Sequence, residues 1–577
     1  MSTIAKVWQV APPAPPEYVR QAQHGHSQRI EPLLIQLMYN RSVENPSDFL
    51  FATSSDQLMS RINPSCMKDV SKAAQRICHA IRSKERILVY GDFDCDGVTS
   101  TTLLMQVLKM LAARAEAYIP DRVDEGYGLN SPALLLAKER GYGLVVTVDC
   151  GIRSVKEVND ANDVGLDVIV TDHHSVGSEI PAAYAVINPQ QEDCGGHEIY
   201  SHLAGVGVAF MLAMELVTCM TPPKSFRISD LLDLVAIGTV ADVMHLNDPL
   251  NRLLVVHGLK VINEGRRLGL KILLETASLK LGAISSQRIG FGIGPRINAA
   301  GRLDKALKAY RLLSADDANE ARKIANELEG LNRERQRLTR DAQERIKETV
   351  ERENSINTPL IFAQDSDVLP GIVGLVAGRL TEEFYRPTVV LEYGATESRA
   401  SCRSIPEFHI THALDSCADL LLRHGGHAMA AGFTVANENL AELKRRLMKA
   451  ASEQLSDRDL LPTVVIDAEM PMRSLSLKFA ETLSMLEPTG HQNPPARFMT
   501  KNMRVVDYRP LSNGAHLKLK LSEGHHPAMD AIAFGFGHLA QNMYGNVDAV
   551  YALEVNEYNG RRNAQLVIQE LRQALDT

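Results

Sequence analysis

From Arg86 onward, short β-rich apolar runs alternate with longer stretches of helical periodicity. Ile87–Tyr90, Leu144–Val148, Val168–Thr171 and Tyr184–Ile187 read as strands, with helices such as Val98–Ala115 and Ser131–Arg140 between the earlier ones. Strands alternating with helices predict a parallel α/β sheet. At Ser314 the pattern changes. Ser-Ala-Asp-Asp is a capping-box-like start, and Ala318, Ala321, Ile324, Ala325, Leu328 and Leu331 follow at helical spacing. That helix runs to about Glu353 and is dense in charges of both signs, as expected of a solvated bridge between two domains. A second, smaller α/β block extends from Pro359 to about Glu453. Beyond it, Arg504–Tyr508, His516–Leu521, Ala531–Phe534, Ala549–Val555 and Ala564–Ile568 are short strands spaced as in a small β-barrel. Ahead of everything, a Pro-rich start (Pro12, Pro13, Pro15, Pro16) leads into weakly amphipathic helical sequence. The expected units are an N-terminal helical extension (1–80), an α/β domain (81–313), a connecting helix (314–353), a second α/β domain (354–455) and a barrel (456–577).

Composition changes this picture little. A chain of 577 residues exceeds one hydrophobic core and suits three or four domains. The formal net charge of −8 counts against non-specific gripping of duplex DNA, but leaves room for a locally positive channel. Met1–Val10 holds no apolar signal core, and no run of 18 apolar residues occurs, so no membrane association is expected. The cysteines (Cys66, Cys78, Cys95, Cys150, Cys194, Cys219, Cys402, Cys417) are scattered without a Cys-x-x-Cys pair. Reduced thiols in a cytoplasmic protein are expected rather than disulfides or a structural zinc site.

The chemistry gathers at predicted strand ends. Asp92-Phe93-Asp94-Cys95-Asp96-Gly97 follows the first strand directly. A D-x-D-x-D-G run also opens a calcium-binding EF-hand loop, but position 12 here is Leu103 instead of a bidentate Glu, and a strand precedes it. Leu144–Val148 ends in Asp149, Val168–Thr171 ends in Asp172-His173-His174, and the helical run Leu231–Ile237 leads to Asp242. In an open parallel sheet, ligands collect at the carboxyl ends of the strands. Asp92, Asp94, Asp96, Asp149, His173 and Asp242 would then surround one point. Their mutual repulsion would raise their pKa values, and divalent cations would relieve it. Oxygen donors with one or two imidazoles suit Mn²⁺ or Mg²⁺, and a pair of such ions serves phosphoryl transfer. Any one of these aspartates alone reads equally well as a helix N-cap, and His174 as a satisfied core histidine. The whole set does not.

With its D-x-D-x-D-G and V-D-x-G companions in order, Asp172-His173-His174 resembles the DHH phosphoesterases. Asp124–Leu129, Leu203–Phe210, Gly238–Val243, Gly294–Asp304 and Gly425–Gly432 are similar in particular to the RecJ branch, so the resemblance covers about residues 80 to 570. It implies a DHH catalytic domain, a DHH-associated phosphate-binding domain and an OB-fold. It implies metal ligation by Asp94, Asp96, Asp149, His173 and Asp242, with Asp92 and His174 in or beside the ligand set, and two Mn²⁺ or Mg²⁺ ions. Candidate substrate-binding residues in the similar stretches are Arg122, Arg296, Asn298, Arg302, Ser401, Arg403, Ser404, Gly425, Gly426 and His427. Arginine forks match phosphate oxygens, and paired glycines let backbone approach a ligand, although Gly-Gly also makes an ordinary tight turn. Lys518, Lys520, Tyr508, Tyr558, Arg561 and Arg562 are candidate strand contacts on the barrel.

Four departures from the family pattern stand out. Cys150 replaces an Asn, Cys402 replaces the Gly of S-G-R-S and could narrow the phosphate pocket, and Val368-Leu369-Pro370-Gly371 replaces W-H-x-G. The glycine-rich lead-in to the barrel reads Glu487–Pro494. The expected activity is exonucleolytic hydrolysis of single-stranded DNA, 5′→3′, by a monomer. The resemblance implies work with a helicase and a single-strand-binding protein in recombination and repair. A phosphodiesterase of oligoribonucleotides or cyclic dinucleotides, a catalytically inactive replication scaffold and a pyrophosphatase are the competing readings.

Overall fold

The computed structural model describes residues 5–24, 30–50, 54–122, 124–456, 458–542, 545–558 and 560–574. After an N-terminal strand, β1 (Val7–Val10), and several helices come β2 (Arg86–Gly91), β3 (Arg114–Tyr118), β4 (Tyr142–Val148), β5 (Asp167–Thr171) and β6 (Ala185–Ile187). These last five form one wholly parallel sheet in the order β3-β2-β4-β5-β6. Alternate side chains serve two cores, as strand geometry demands. Ile87, Val89, Val146 and Val148 face helices Val70–Ser83, Cys95–Met110, Gly205–Cys219 and Leu232–Ala241. Leu88, Tyr90, Val145 and Val168 face helices Ser131–Glu139 and Val155–Asp163.

The expected strands are present, and one more joins them. The helix predicted to reach Ala115 ends at Met110, and Arg114–Tyr118 forms β3 at the sheet edge. Its half-exposed, charge-bearing sequence carries no apolar run to betray it. The long helix spans Ala318–Arg352 and is capped by Asp317, whose Oδ1 accepts N–H bonds from Asn319 and Glu320, three residues past the expected start. Its first half buries Ala321, Ile324, Ala325 and Leu328 in the catalytic-domain core, and its second half buries Ala342, Ile346 and Val350 in the next domain. One apolar stripe thus joins two units.

The second domain holds β7 (Ile361–Asp365), β8 (Thr388–Glu392), β9 (Glu397–Arg403), β10 (Leu421–His427) and β11 (Ala430–Ala436), in the order β10-β11-β9-β8-β7. Only β7 and β8 run parallel. Next, β12 (Thr463–Ile466) pairs with β1, and β13 (Ala468–Glu469) pairs with β14 (Phe498–Leu511). With β15 (His516–Ser522), β16 (Met529–Ala533), β17 (Asn546–Tyr558) and β18 (Arg561–Gln573), β14 closes a five-stranded barrel through its pairing with β17.

The N-terminal segment packs on that barrel. Leu34, Ile35, Leu37 and Met38 share a core with Phe498, Met503 and Leu519. Arg41, almost wholly buried, forks onto Asp467 (Nη1–Oδ1 2.9 Å, Nη2–Oδ2 3.2 Å) and donates to the Pro494 carbonyl (2.8 Å). Breaking a buried pair leaves a charge without a partner, so Arg41→Ala is expected to destabilise the N-terminal–barrel unit by about 3–5 kcal/mol. Denaturant melts followed by Trp8, which lies in β1, read this loss. A midpoint equal to wild type would show that the pair contributes nothing.

Candidate metal centre

The acidic side chains come from three separate places in the chain: the turn and helix start after β2, the turn after β4, and the end of helix Leu232–Ala241. The turn after β2 presents Asp92 and then Asp94, which N-caps helix Cys95–Met110 by accepting from the N–H groups of Asp96 (2.9 Å) and Gly97 (3.0 Å). Asp96 receives the Gly205 and Val206 N–H groups (2.6 and 3.0 Å), the first turn of helix Gly205–Cys219. Asp149 follows β4 at φ 64°, a left-handed conformation that costs a non-glycine residue energy and is stored at functional sites. Its N–H is tied to the Thr171 carbonyl on β5 (3.0 Å). Asp242 ends helix Leu232–Ala241.

These side chains converge on His173. Its Nε2 lies 3.2 Å from Asp149 Oδ1, 3.4 Å from Asp242 Oδ2 and 3.9 Å from Asp96 Oδ2. Asp92, Asp94 and Asp149 form a second group of acceptors with atoms within 4.8 Å of one another. Asp92 Oδ1, Asp149 Oδ1 and His173 Nε2 are buried with no hydrogen-bond partner. A buried acceptor without a donor is costly, so this edge is built for a cation, and its carboxylate–imidazole donor set fits Mn²⁺ or Mg²⁺.

Electrostatics agree. Burial, followed by the charge of Asp94, pushes Asp92 well above the carboxylate range and Asp96 up to about 7. Burial and then the charge of Asp96 do the same to Asp149 and Asp242. Burial and the neighbouring His174 lower His173 to about 4, leaving a neutral imidazole ready to ligate. His174 behaves oppositely. Burial disfavours its charge, yet its 2.7 Å bond to Asp172 raises it to about 9. Tyr127 also bonds to His174 (Oη to Nδ1 3.1 Å).

Arginines face this edge. Arg122 lies over the Phe93 ring (4.2 Å to the centroid), its Nε buried without a partner. Arg302 donates to the Gly371 carbonyl (2.8 Å), and burial, then the charges of Arg122 and Arg335, lowers it to about 9. In the second domain, Arg403 Nη1 donates to Ser401 Oγ (3.2 Å). The register aligns Arg403 with Ala430 and His427, and Ser401 with Gly432 and Gly425, so small residues leave a shelf between polar ones. Gly426 sits one step off that row at φ 148°, where an added Cβ would stand 2.4 Å from the Ala430 carbonyl oxygen.

Three other candidates serve the scaffold. Arg296 is tied to Glu329 (2.6 Å), Asn298 Oδ1 accepts from the Cys95 N–H (2.8 Å), and Ser404 Oγ donates to the Phe408 carbonyl (2.5 Å). On the barrel, Arg562 pairs with Glu481 (2.9 Å), and Tyr508 is exposed. The side chain of Tyr558 lies outside the described residues. Phe93, Tyr127, Asp172 and Arg335 are not among the site residues expected from the sequence, although Asp172 is read there as a strand-end carboxylate. The first three sit inside the quoted motifs, but Arg335 hides among the alternating charges of the long helix, where half-burial and an unpartnered Nε distinguish it.

Comparison with known proteins accords with this geometry. Residues 86–239 match the DHH family, N-terminal domain, residues 357–457 the DHHA1 domain, and residues 466–570 the RecJ OB domain. The chain is 37% identical over 527 residues to the single-stranded-DNA-specific exonuclease RecJ of Dickeya dadantii, covering 87% of this chain and 90% of that protein. It is 36% identical over 549 residues to RecJ of Bacillus subtilis, covering 94% and 68%. The chain belongs to the RecJ family. The crystal structure of RecJ from Thermus thermophilus in complex with Mn²⁺ superposes with a TM-score of 0.82 at 30% identity, over 99% of this chain and 80% of that one. A second structure of that RecJ holds Mg²⁺.

Against the RecJ pattern, the departures fall mostly outside the centre. Cys402 is wholly buried with Val389 and Phe433 on the far side of β9 from Ser401 and Arg403, so strand alternation keeps it out of the shelf. It does not intrude between Ser401 and Arg403. Cys150 likewise packs with Tyr90, Ile152 and Val170. Leu369 is half-exposed, while Gly371 keeps the approach to Arg302, whose carbonyl oxygen would stand 2.2 Å from an added Cβ.

The raised carboxylates predict a pH dependence. For Asp96 the native pKa of about 7 exceeds the unfolded value of 3.8, so the native state holds a proton that the unfolded state has released. Metal-free protein is therefore expected to lose stability as pH rises from about 4 to above 7, and Mn²⁺ is expected to flatten that slope while releasing protons. Melting temperature against pH, with EDTA and with Mn²⁺, tests this. A flat metal-free profile would contradict it.

Proposed function

We propose that the chain is an exonuclease that hydrolyses phosphodiester bonds of single-stranded DNA from the 5′ end, with Asp92, Asp94, Asp96, Asp149, His173 and Asp242 holding Mn²⁺ or Mg²⁺. The observation that carries this reading is the set of buried, unpartnered acceptors on Asp92, Asp149 and His173, faced by Arg122, Arg302 and Arg403. When bound, a pair of such ions supplies hydroxide at neutral pH and offsets charge on the attacking and leaving oxygens.

The chain's own groups do the rest. Asp149, locked at its left-handed turn, and Asp96, fixed by two N–H groups, orient the donor set without reorganisation. His174, kept protonated by Asp172, offers an N–H to a phosphoryl oxygen at the same edge. Arg122 and Arg302 hold phosphates of the strand, and the Ser401–Arg403–His427 shelf takes the terminal 5′-phosphate. The inactive-scaffold reading requires lost ligands, and the chain retains every residue that the resemblance implies as a ligand. We further propose that the protein acts as a cytoplasmic monomer in recombination and repair, beside a helicase and a single-strand-binding protein. Its membership of the RecJ family supports this, and no helix among the described residues is long and apolar enough to cross a membrane.

Asp149→Ala and His173→Ala are each expected to reduce cleavage of end-labelled single-stranded oligonucleotides to background while leaving the circular dichroism spectrum unchanged. Retention of most activity by either variant would sink the metal assignment. Arg403→Ala is expected to weaken engagement of a 5′-phosphorylated strand roughly tenfold or more, the worth of one charged hydrogen bond, and of a 5′-hydroxyl strand much less. KM values for the two substrates decide this, and equal losses would remove the 5′-phosphate from the shelf.

A further inference from the structure

Away from the catalytic edge, three histidines from three distant parts of the chain meet where the catalytic domain touches the lead-in to the barrel. His202 precedes helix Gly205–Cys219, His245 follows Asp242 by three residues, and His491 lies in the loop 487–494. The ring centroids of His202 and His245 are 4.4 Å apart, and those of His245 and His491 are 5.1 Å apart. Asp248, largely buried, stands at the end of this row with Oδ2 3.2 Å from His202 Nδ1.

The backbone beneath the rings is fixed. Asn251 Nδ2 donates to the carbonyls of both His202 (2.5 Å) and His245 (3.3 Å), and the Leu246 N–H donates to the His491 carbonyl (2.9 Å). Ser286 Oγ holds the neighbouring Thr489 carbonyl (2.6 Å), and Arg252 donates to the carbonyls of Met485, Leu486 and Glu487. No group among the described residues forms a hydrogen bond with the ring nitrogens of His245 or His491. Three imidazoles are therefore carried on a rigid frame, two of them with free nitrogens.

We propose that His202, His245 and His491 form a second metal site, for a divalent transition ion of the Zn²⁺ class, which clasps the barrel lead-in to the catalytic domain. Imidazole donors without sulfur or further carboxylate ligands suit Zn²⁺ rather than the Mg²⁺ or Mn²⁺ that oxygen-rich centres take. With zinc–nitrogen bonds of about 2.0–2.1 Å, imidazoles in a tetrahedral set have centroids about 5 Å apart. Both neighbouring pairs stand near that spacing, whereas the outer pair His202–His491 is not in ring contact, so the three donor nitrogens meet only once the outer rings turn inward. His202 and His491 flank His245, so capture of the ion draws these two exposed rings together around it. Asp248 accepts from His202 Nδ1–H, which leaves Nε2 as the ligating atom, the usual carboxylate–histidine–zinc order. Burial, then the flanking rings, holds His245 below the ordinary histidine range, so it is neutral when the ion arrives.

The test is a calorimetric titration of Zn²⁺ into the full-length protein held in excess Mn²⁺. Wild type and His173→Ala are expected to bind one tight zinc equivalent. His491→Gln and His202→Gln, at exposed positions that tolerate change, are expected to weaken that event more than tenfold, and Asp248→Asn by roughly tenfold. Co²⁺ is expected to give a visible absorption band in the wild type that His491→Gln lacks, and Zn²⁺ to raise the melting temperature of the wild type but not of His491→Gln. The inference is overturned by a zinc event that survives unchanged in both outer-histidine variants, or that disappears in His173→Ala, which would assign the zinc to the catalytic centre.

Discussion

Buried carboxylates repel one another and forfeit hydration, so Asp92, Asp96, Asp149 and Asp242 can share one edge only while positive charge faces them. The fold supplies part of it. The partial positive charge at a helix N-terminus meets Asp96 through Gly205 and Val206, and Asp94 caps the start of its own helix. That closeness dictates sequence elsewhere. A Cβ on Gly205 would stand 2.5 Å from Asp149 Oδ1, and one on Gly238 would stand 2.5 Å from Asp96 Oδ1. The remaining charge is left to cations and to arginine.

The arginine row answers that demand from both domains. Arg122 belongs to the loop after β3, Arg302 to helix Gly294–Leu303, Arg335 to the linker helix, and Arg403 to β9. Burial, and after it the charges of Arg122 and Arg335, lowers Arg302 to about 9, so the row carries excess positive charge in a poorly hydrated place. On the proposed reading, a polyanion passing between carboxylate-held cations and this row would relieve both excesses. A net charge of −8 is a total over the whole chain and does not prevent a local row of arginines.

Much of this was legible before any coordinates. The strand ends announced themselves because buried parallel strands are apolar runs, and an aspartate directly after one is conspicuous. The edge strand β3 was not, since Arg114 and Glu116 face solvent and break the run. The resemblance favoured His173 over His174 as a ligand, but nothing in the adjacent pair itself gave a physical reason. Asp172, which bonds the ring of His174 but only the backbone N–H of His173, separates a neutral ligand from a charged donor. Cysteine in place of glycine at position 402 looked like an obstruction, because sequence alone does not say which face of β9 it takes. Arg296 and Asn298 shared a motif with Arg302, yet packing gives the first two to Glu329 and the Cys95 backbone.

The N-terminal segment bears on how the barrel serves the centre. Its charge-poor helices looked like an appendage, but Arg41 and the strand pair β1–β12 make them part of the barrel's own core. Arg252, reaching out of the catalytic domain, then donates to Phe49 from that segment and to Met485, Leu486 and Glu487 from the barrel lead-in. One desolvated guanidinium satisfies four carbonyls from two ends of the chain, and each end left alone would bury unpaired acceptors. The barrel is therefore attached at a fixed point rather than tethered. A strand gripped on it would reach the carboxylate edge at a constant offset, which is what stepwise removal of nucleotides from one end requires.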